Sequence, residues 1–89
     1  MHAVVARSTL HDLERGAAFL RESMPRIKQA PGFISGTWVS LGKGDGTSMI
    51  IFESEEGAQA WIERLKANPP PSESVTIHTV EIGEVVEQA

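Results

Sequence analysis

Hydrophobic residues change their spacing repeatedly along this chain, and each change marks an element. Residues 2–9, HAVVARST, are short and rich in β-branched side chains, as a strand requires. From Leu10 the period lengthens. Leu10, Leu13, Ala17, Leu20, Met24 and Ile27 fall three and four apart in turn, which draws one stripe along an amphipathic helix. Thr9 and Asp12 stand where an N-terminal cap is needed, because side-chain oxygens accept from the free N–H groups of a first turn. Glu22 and Arg26, four apart in the favourable order, predict an exposed ion pair. Pro25 has no N–H and its ring crowds the turn before it, so a kink is expected near Arg21–Pro25. The helix should resume to about Gln29 and stop at Pro31–Gly32.

A second strand follows in GFISGTWVSL, residues 32–41. Strict alternation would give one face Phe33, Ser35, Thr37, Val39 and Leu41, and the other Ile34, Gly36, Trp38 and Ser40. GKGDG (42–46) reads as a turn, and TSMIIF (47–52) as a third strand that is apolar on both faces. Ser54, Glu55 and Glu56 open a second helix, whose buried stripe is Ala58, Trp61, Ile62 and Leu65. NPPP (68–71) ends it, and SVTIHTVEIGEVV (74–86) is a long last strand interrupted by Gly83. The order β-α-β-β-α-β predicts an α+β, ferredoxin-like domain over residues 1–89, with a four-stranded antiparallel sheet and both helices on one face. A half-exposed antiparallel sheet should alternate cleanly, yet these strands carry large apolar residues on both sides. The expected consequence is a homodimer through the face opposite the helices. A monomer with scattered surface apolar residues is the alternative.

Composition strengthens the case for a partner. A chain of 89 residues buries only about 60–65% of its unfolded surface, and with no cysteine it has no disulfide to compensate. Sulfur-based zinc sites and thiolate chemistry are excluded for the same reason. A net charge of −4 argues against nucleic acid, which needs a basic face. No apolar run is long enough for a membrane span, and MHAVVARST lacks a signal pattern, so a cytoplasmic protein is expected.

Few residues carry recognisable chemistry. The glycines of GKGDG sit between two strands, with no helix N-terminus to face a phosphate, so they serve a turn. NPPP could serve as a polyproline ligand, but it reads first as a helix stop and connector. His2 and His11 read as solvated, and no histidine has metal-ligand spacing to another ligand. His78, in mid-strand, is a candidate general base because an imidazole titrates near 6.5, with hydrogen-bonded structure as the alternative. Arg7, on a strand that should be central, is a candidate anion stabiliser, with a pairing to Glu81 or Glu84 as the alternative. Trp38 and Trp61 are candidate core or interface anchors.

The runs PRIKQAPGFISGTW and GTSMIIFESEEGAQAW, followed by a Pro-rich link and a terminal strand, resemble the dimeric α+β barrel superfamily. That group includes antibiotic-biosynthesis monooxygenases and IsdG-like haem-degrading enzymes, and the likeness is greatest to small actinobacterial-type members. The resemblance implies two sheets facing each other across a dimer and a small-molecule pocket between sheet and helices. It implies that Phe33, Ser35, Thr37 and Trp61 line the pocket, and it leaves Ile34 and Trp38 for the dimer interface. It implies a cofactor-independent monooxygenase-like enzyme acting on a small apolar or aromatic molecule, with His78 and Arg7 as catalytic candidates. A non-catalytic dimeric module that binds a small ligand or a protein partner is the alternative. Haem-degrading members carry an asparagine in the first strand and an axial histidine in a helical segment about nine residues after the tryptophan that Trp61 matches. HAVVARST and NPPPSES have neither, so no haem, other cofactor or metal is expected.

Overall fold

The strand that begins the chain ends up inside the sheet. The computed structural model describes all 89 residues, Met1–Ala89. The elements are β1 (His2–Leu10), α1 (Leu13–Lys28), β2 (Phe33–Gly42), β3 (Asp45–Phe52), α2 (Glu55–Ala67) and β4 (Val75–Glu84). The sheet order is β2-β3-β1-β4, with every neighbouring pair antiparallel. This is the ferredoxin-like βαββαβ arrangement that the hydrophobic pattern predicts.

Helix starts follow local chemistry. Asp12 alone caps α1, its Oδ1 accepting from the Arg15 N–H at 3.0 Å. Thr9, expected to share that role, belongs to β1, which runs one residue further than its β-branched run suggests. The Ser54 hydroxyl caps α2 by accepting from the Gly57 N–H at 3.1 Å. Helix α1 runs through Pro25 as one continuous element, Leu13–Lys28. The expected Glu22–Arg26 ion pair is not formed; Arg15 pairs with Asp12 and Glu73, and His2 Nε2 lies 3.4 Å from Glu55 Oε2. His2 is therefore half-buried against the start of α2, not solvated. Between β2 and β3, Lys43 (φ 54°) and Gly44 (φ 84°) both take left-handed backbone, as the tight hairpin turn that matches strand twist demands.

The core lies between the sheet and the helices. Val4, Ala30, Ile50, Phe52 and Ala58 are buried together, and Phe33, Trp38, Trp61, Ile62, Val80 and Ile82 pack around them. Phe52, with 0% exposure, is the centre: Phe33 meets it edge-on and Trp61 lies tilted against it, each with ring centroids 6.3 Å away. Only 13 of 89 residues are buried, so each core side chain carries a large share of the stability. On the outer face Met49 is 48% exposed and Leu41 53% exposed. No helix is long and apolar enough to cross a membrane.

One irregularity decides where the aromatics of β2 point. The register runs Phe33↔Phe52, then Ser35↔Ile51, Gly36↔Ile50 and Trp38↔Ser48. Ile34 is an extra residue, a β-bulge, and it shifts the alternation by one. Phe33 and Trp38 therefore share the helix side, contrary to the expectation that they point to opposite faces. Ser35, Thr37 and Val39 fall on the outer face, across from Ile51, Met49 and Thr47.

Candidate functional site

A cavity of about 420 Å³ lies between α1, α2 and the helix side of the sheet, within the size range of small-molecule sites. Its floor comes from every second residue of the strands: Val4, Ala6 and Ser8 of β1, Ser48 and Ile50 of β3, and Trp38 of β2. One wall is the inward face of α1, through Ala17, Leu20, Ser23 and Ile27; the other is α2, through Trp61 and Leu65. The Trp38 ring lies across β2 over Gly36. A Cβ added at Gly36 would come within 2.7 Å of Trp38 Cη2, so only glycine lets the indole lie flat there.

The charged groups of this cavity are of one sign. Arg26 and Arg64 stand at its edge, and no carboxylate, histidine, lysine or tyrosine lines it. The Arg64 guanidinium lies 5.8 Å from the Trp61 ring centroid, at cation–π distance. Ser23 is 7% exposed, and its hydroxyl has no hydrogen-bond partner. It does not use the carbonyl of the preceding turn, the usual escape for a serine within a helix.

The residues singled out from sequence divide between places. Phe33 and Trp61 lie on the helix side, joined through Phe52. Trp61 lines the cavity while Phe33 packs beside it in the core. Trp38, assigned to the dimer interface, lines the cavity instead, because of the bulge. Ser35 and Thr37, assigned to the pocket, are exposed on the outer face for the same reason. Ile34 is the bulged residue itself and is exposed. Arg7 is exposed and forms no ion pair; Glu81 lies across from Val5 and Glu84 from His2, so neither stands opposite it. His78 sits at a second irregularity, between Ile77 (across from Ser8) and Thr79 (across from Arg7), with its Nε2 2.6 Å from Thr9 Oγ1. Neither His78 nor Arg7 reaches the cavity of Trp61.

Ser23 and Arg64 are not singled out by the sequence, and Arg26 is read there only as an ion-pair partner of Glu22. A signal existed for Ser23: it lies three residues after Leu20 and four before Ile27, a hydroxyl on an otherwise apolar stripe.

No protein-family model matches the sequence, and no curated protein matches it significantly. Solved structures do match, over nearly the whole chain. A mutant of SnoaB, a cofactor-independent oxygenase from Streptomyces nogalater, superposes with a TM-score of 0.73 at 10% identity, covering 98% of this chain and 94% of that one. An MhuD mutant holding two manganese protoporphyrin IX molecules per active site gives 0.66 at 16% identity, with 100% and 98% covered. A dimeric ferredoxin-like protein from an uncultured marine organism gives 0.59 at 15% identity, again with 100% and 98% covered.

The porphyrin in one of these folds sets a test for the present lining. His2, His11 and His78 all lie outside the cavity, and no three histidine or acidic side chains are grouped to hold a metal. The lining does not fit a histidine-ligated haem. Titration with haemin is expected to give no sharp Soret band. A one-to-one complex whose sharp band disappears in His78→Ala would overturn this. What the geometry and the superpositions share is architecture: the chain has a ferredoxin-like βαββαβ fold, the fold of the cofactor-independent oxygenase and of the porphyrin-holding protein it superposes on.

Proposed function

We propose that this protein binds a flat apolar or aromatic molecule in the cavity between Trp38 and Trp61 and acts on it as a cofactor-independent oxygenase. The observation that supports this is the pairing of two indoles around an apolar space of about 420 Å³, a shape and chemistry suited to a ring system. The fold likeness to a cofactor-independent oxygenase agrees with it. In such a reaction the substrate is its own reductant. A CH₂ group made acidic by its neighbours loses a proton, and the carbanion passes electrons to O₂ and forms a C–O bond. Loss of water then leaves a carbonyl, with one oxygen atom in the product and the other in the water.

The chain's own contribution would be positioning, exclusion of water and stabilisation of the anion. Homodimerisation through the outer face belongs to the same proposal. Val39, Leu41 and Met49 are exposed there, and a small core gains from covering them. Ile34, at the bulge, is exposed as well and remains a candidate for that contact.

A second reading, a binding module without catalysis, is favoured by one fact: the cavity contains no side chain that serves as a base near neutral pH. Thermal denaturation and an oxygen electrode separate the two with one panel of fused-ring aromatic compounds bearing an acidic C–H. The expected result is a raised midpoint together with protein-dependent oxygen uptake. A raised midpoint with no uptake would move the assignment to the binding module, and no shift with any compound would remove both.

A further inference from the structure

We infer that the ligand of this cavity carries a negative charge, and that Ser23, Arg26 and Arg64 form its anion-binding end. The inference rests on the aromatic-ligand reading above and specifies the ligand further: a flat ring system bearing an ionised acid, such as a sulfonate, a carboxylate or an ionised enol.

Three observations converge. Acidic residues outnumber basic ones twelve to eight, yet the cavity lining contains two arginines and no carboxylate. Both arginines are without an ion-pair partner, although Glu22 stands one turn from Arg26 and Glu63 precedes Arg64. The Ser23 hydroxyl is more than nine-tenths buried, lines the same space, and donates to nothing in the protein. A buried hydroxyl left without a partner costs stability, and alanine at this position would avoid the cost. An anionic oxygen supplies the missing acceptor, and guanidinium groups hold such oxygens with charge-assisted bonds.

Ser23 and Arg26 are three residues apart on α1, and Trp61 and Arg64 three apart on α2, so each helix sets its arginine beside its cavity-facing residue. For the ionised enol this also answers the absence of a base. Such a substrate has already lost its C–H proton and needs positioning and charge stabilisation, not proton abstraction by the protein, whereas a sulfonate or carboxylate alone fits the binding module.

Two probes with one ring skeleton test it: anilinonaphthalene sulfonate and its uncharged parent N-phenylnaphthylamine, each followed by energy transfer from the tryptophans. The charged probe is expected to bind about tenfold more tightly, the discrimination that hydrogen bonds to a charged group give. The double variant Arg26→Gln/Arg64→Gln should bring the two affinities together. Ser23→Ala should weaken the charged probe several-fold, leave the uncharged one unchanged, and keep or raise the thermal midpoint. Equal affinities in the parent protein, or undiminished binding of the charged probe by both variants, would overturn the anion assignment while sparing the aromatic cavity. Binding of neither probe would overturn both.

Discussion

Replacing Phe52 by alanine is expected to cost the protein a large share of its folding stability. Phe52 has no exposed surface and is the ring on which Phe33 and Trp61 both pack. Truncating a buried phenylalanine costs about 3–5 kcal/mol, because the apolar contacts are lost and the cavity left behind closes only in part. Small domains have about 0.05–0.15 kcal/mol of stability per residue, roughly 4–13 kcal/mol for this chain, so this one substitution removes a large share of it. Urea denaturation followed by circular dichroism would measure it. A loss below about 1 kcal/mol would mean that the neighbouring rings collapse into the gap, and that the three-ring arrangement is not the centre of the core.

Trp38→Ala is expected to abolish binding in the proposed ligand site while sparing the proposed subunit contact. Trp38 is half-buried, so its loss should cost about 2–3 kcal/mol, less than a fully buried tryptophan. Affinity for an aromatic ligand should fall by more than tenfold, since a whole wall of the cavity is removed. Sedimentation of the variant should match that of the parent protein, because the residue lies under the helices and not on the outer face. Loss of association with ligand binding retained would place Trp38 between subunits and refute the geometry described above.

How far these outcomes could be foreseen differs from element to element. The order of strands and helices was legible because spacing changes sharply at Leu10–Leu13 and again across Thr47–Phe52, where periodicity alone is informative. Ser54 announced α2 with its hydroxyl and the two acids behind it, and Lys43–Gly44 lay inside a glycine-rich stretch that only a turn accommodates. The inward direction of Trp38 was not legible. Alternation is counted from a fixed start, and nothing in the composition of FISGT shows that one residue is left out of the count. The placement of His78 was not legible for a related reason, since it occupies the irregular step between β1 and β4 and pairs with Thr9 away from the cavity. The cavity itself depends on how α1 and α2 stand over the sheet, a property of many weak contacts that no local pattern encodes. Only Ser23 left a local trace, as a polar residue on an apolar stripe.

The bulge at Ile34 divides β2 into two segments that are out of phase. The short segment keeps step with the core, where Phe33 anchors the chain just after Pro31–Gly32 closes α1. The long segment keeps step with the cavity, where Trp38, lying over Gly36, forms part of the floor. A strand without this dislocation could not place side chains five positions apart on one surface. The single unmatched residue thus couples the exit of α1 to the cavity floor, and it makes the number of residues between Phe33 and Trp38, together with the glycine at position 36, the quantity that defines the cavity surface.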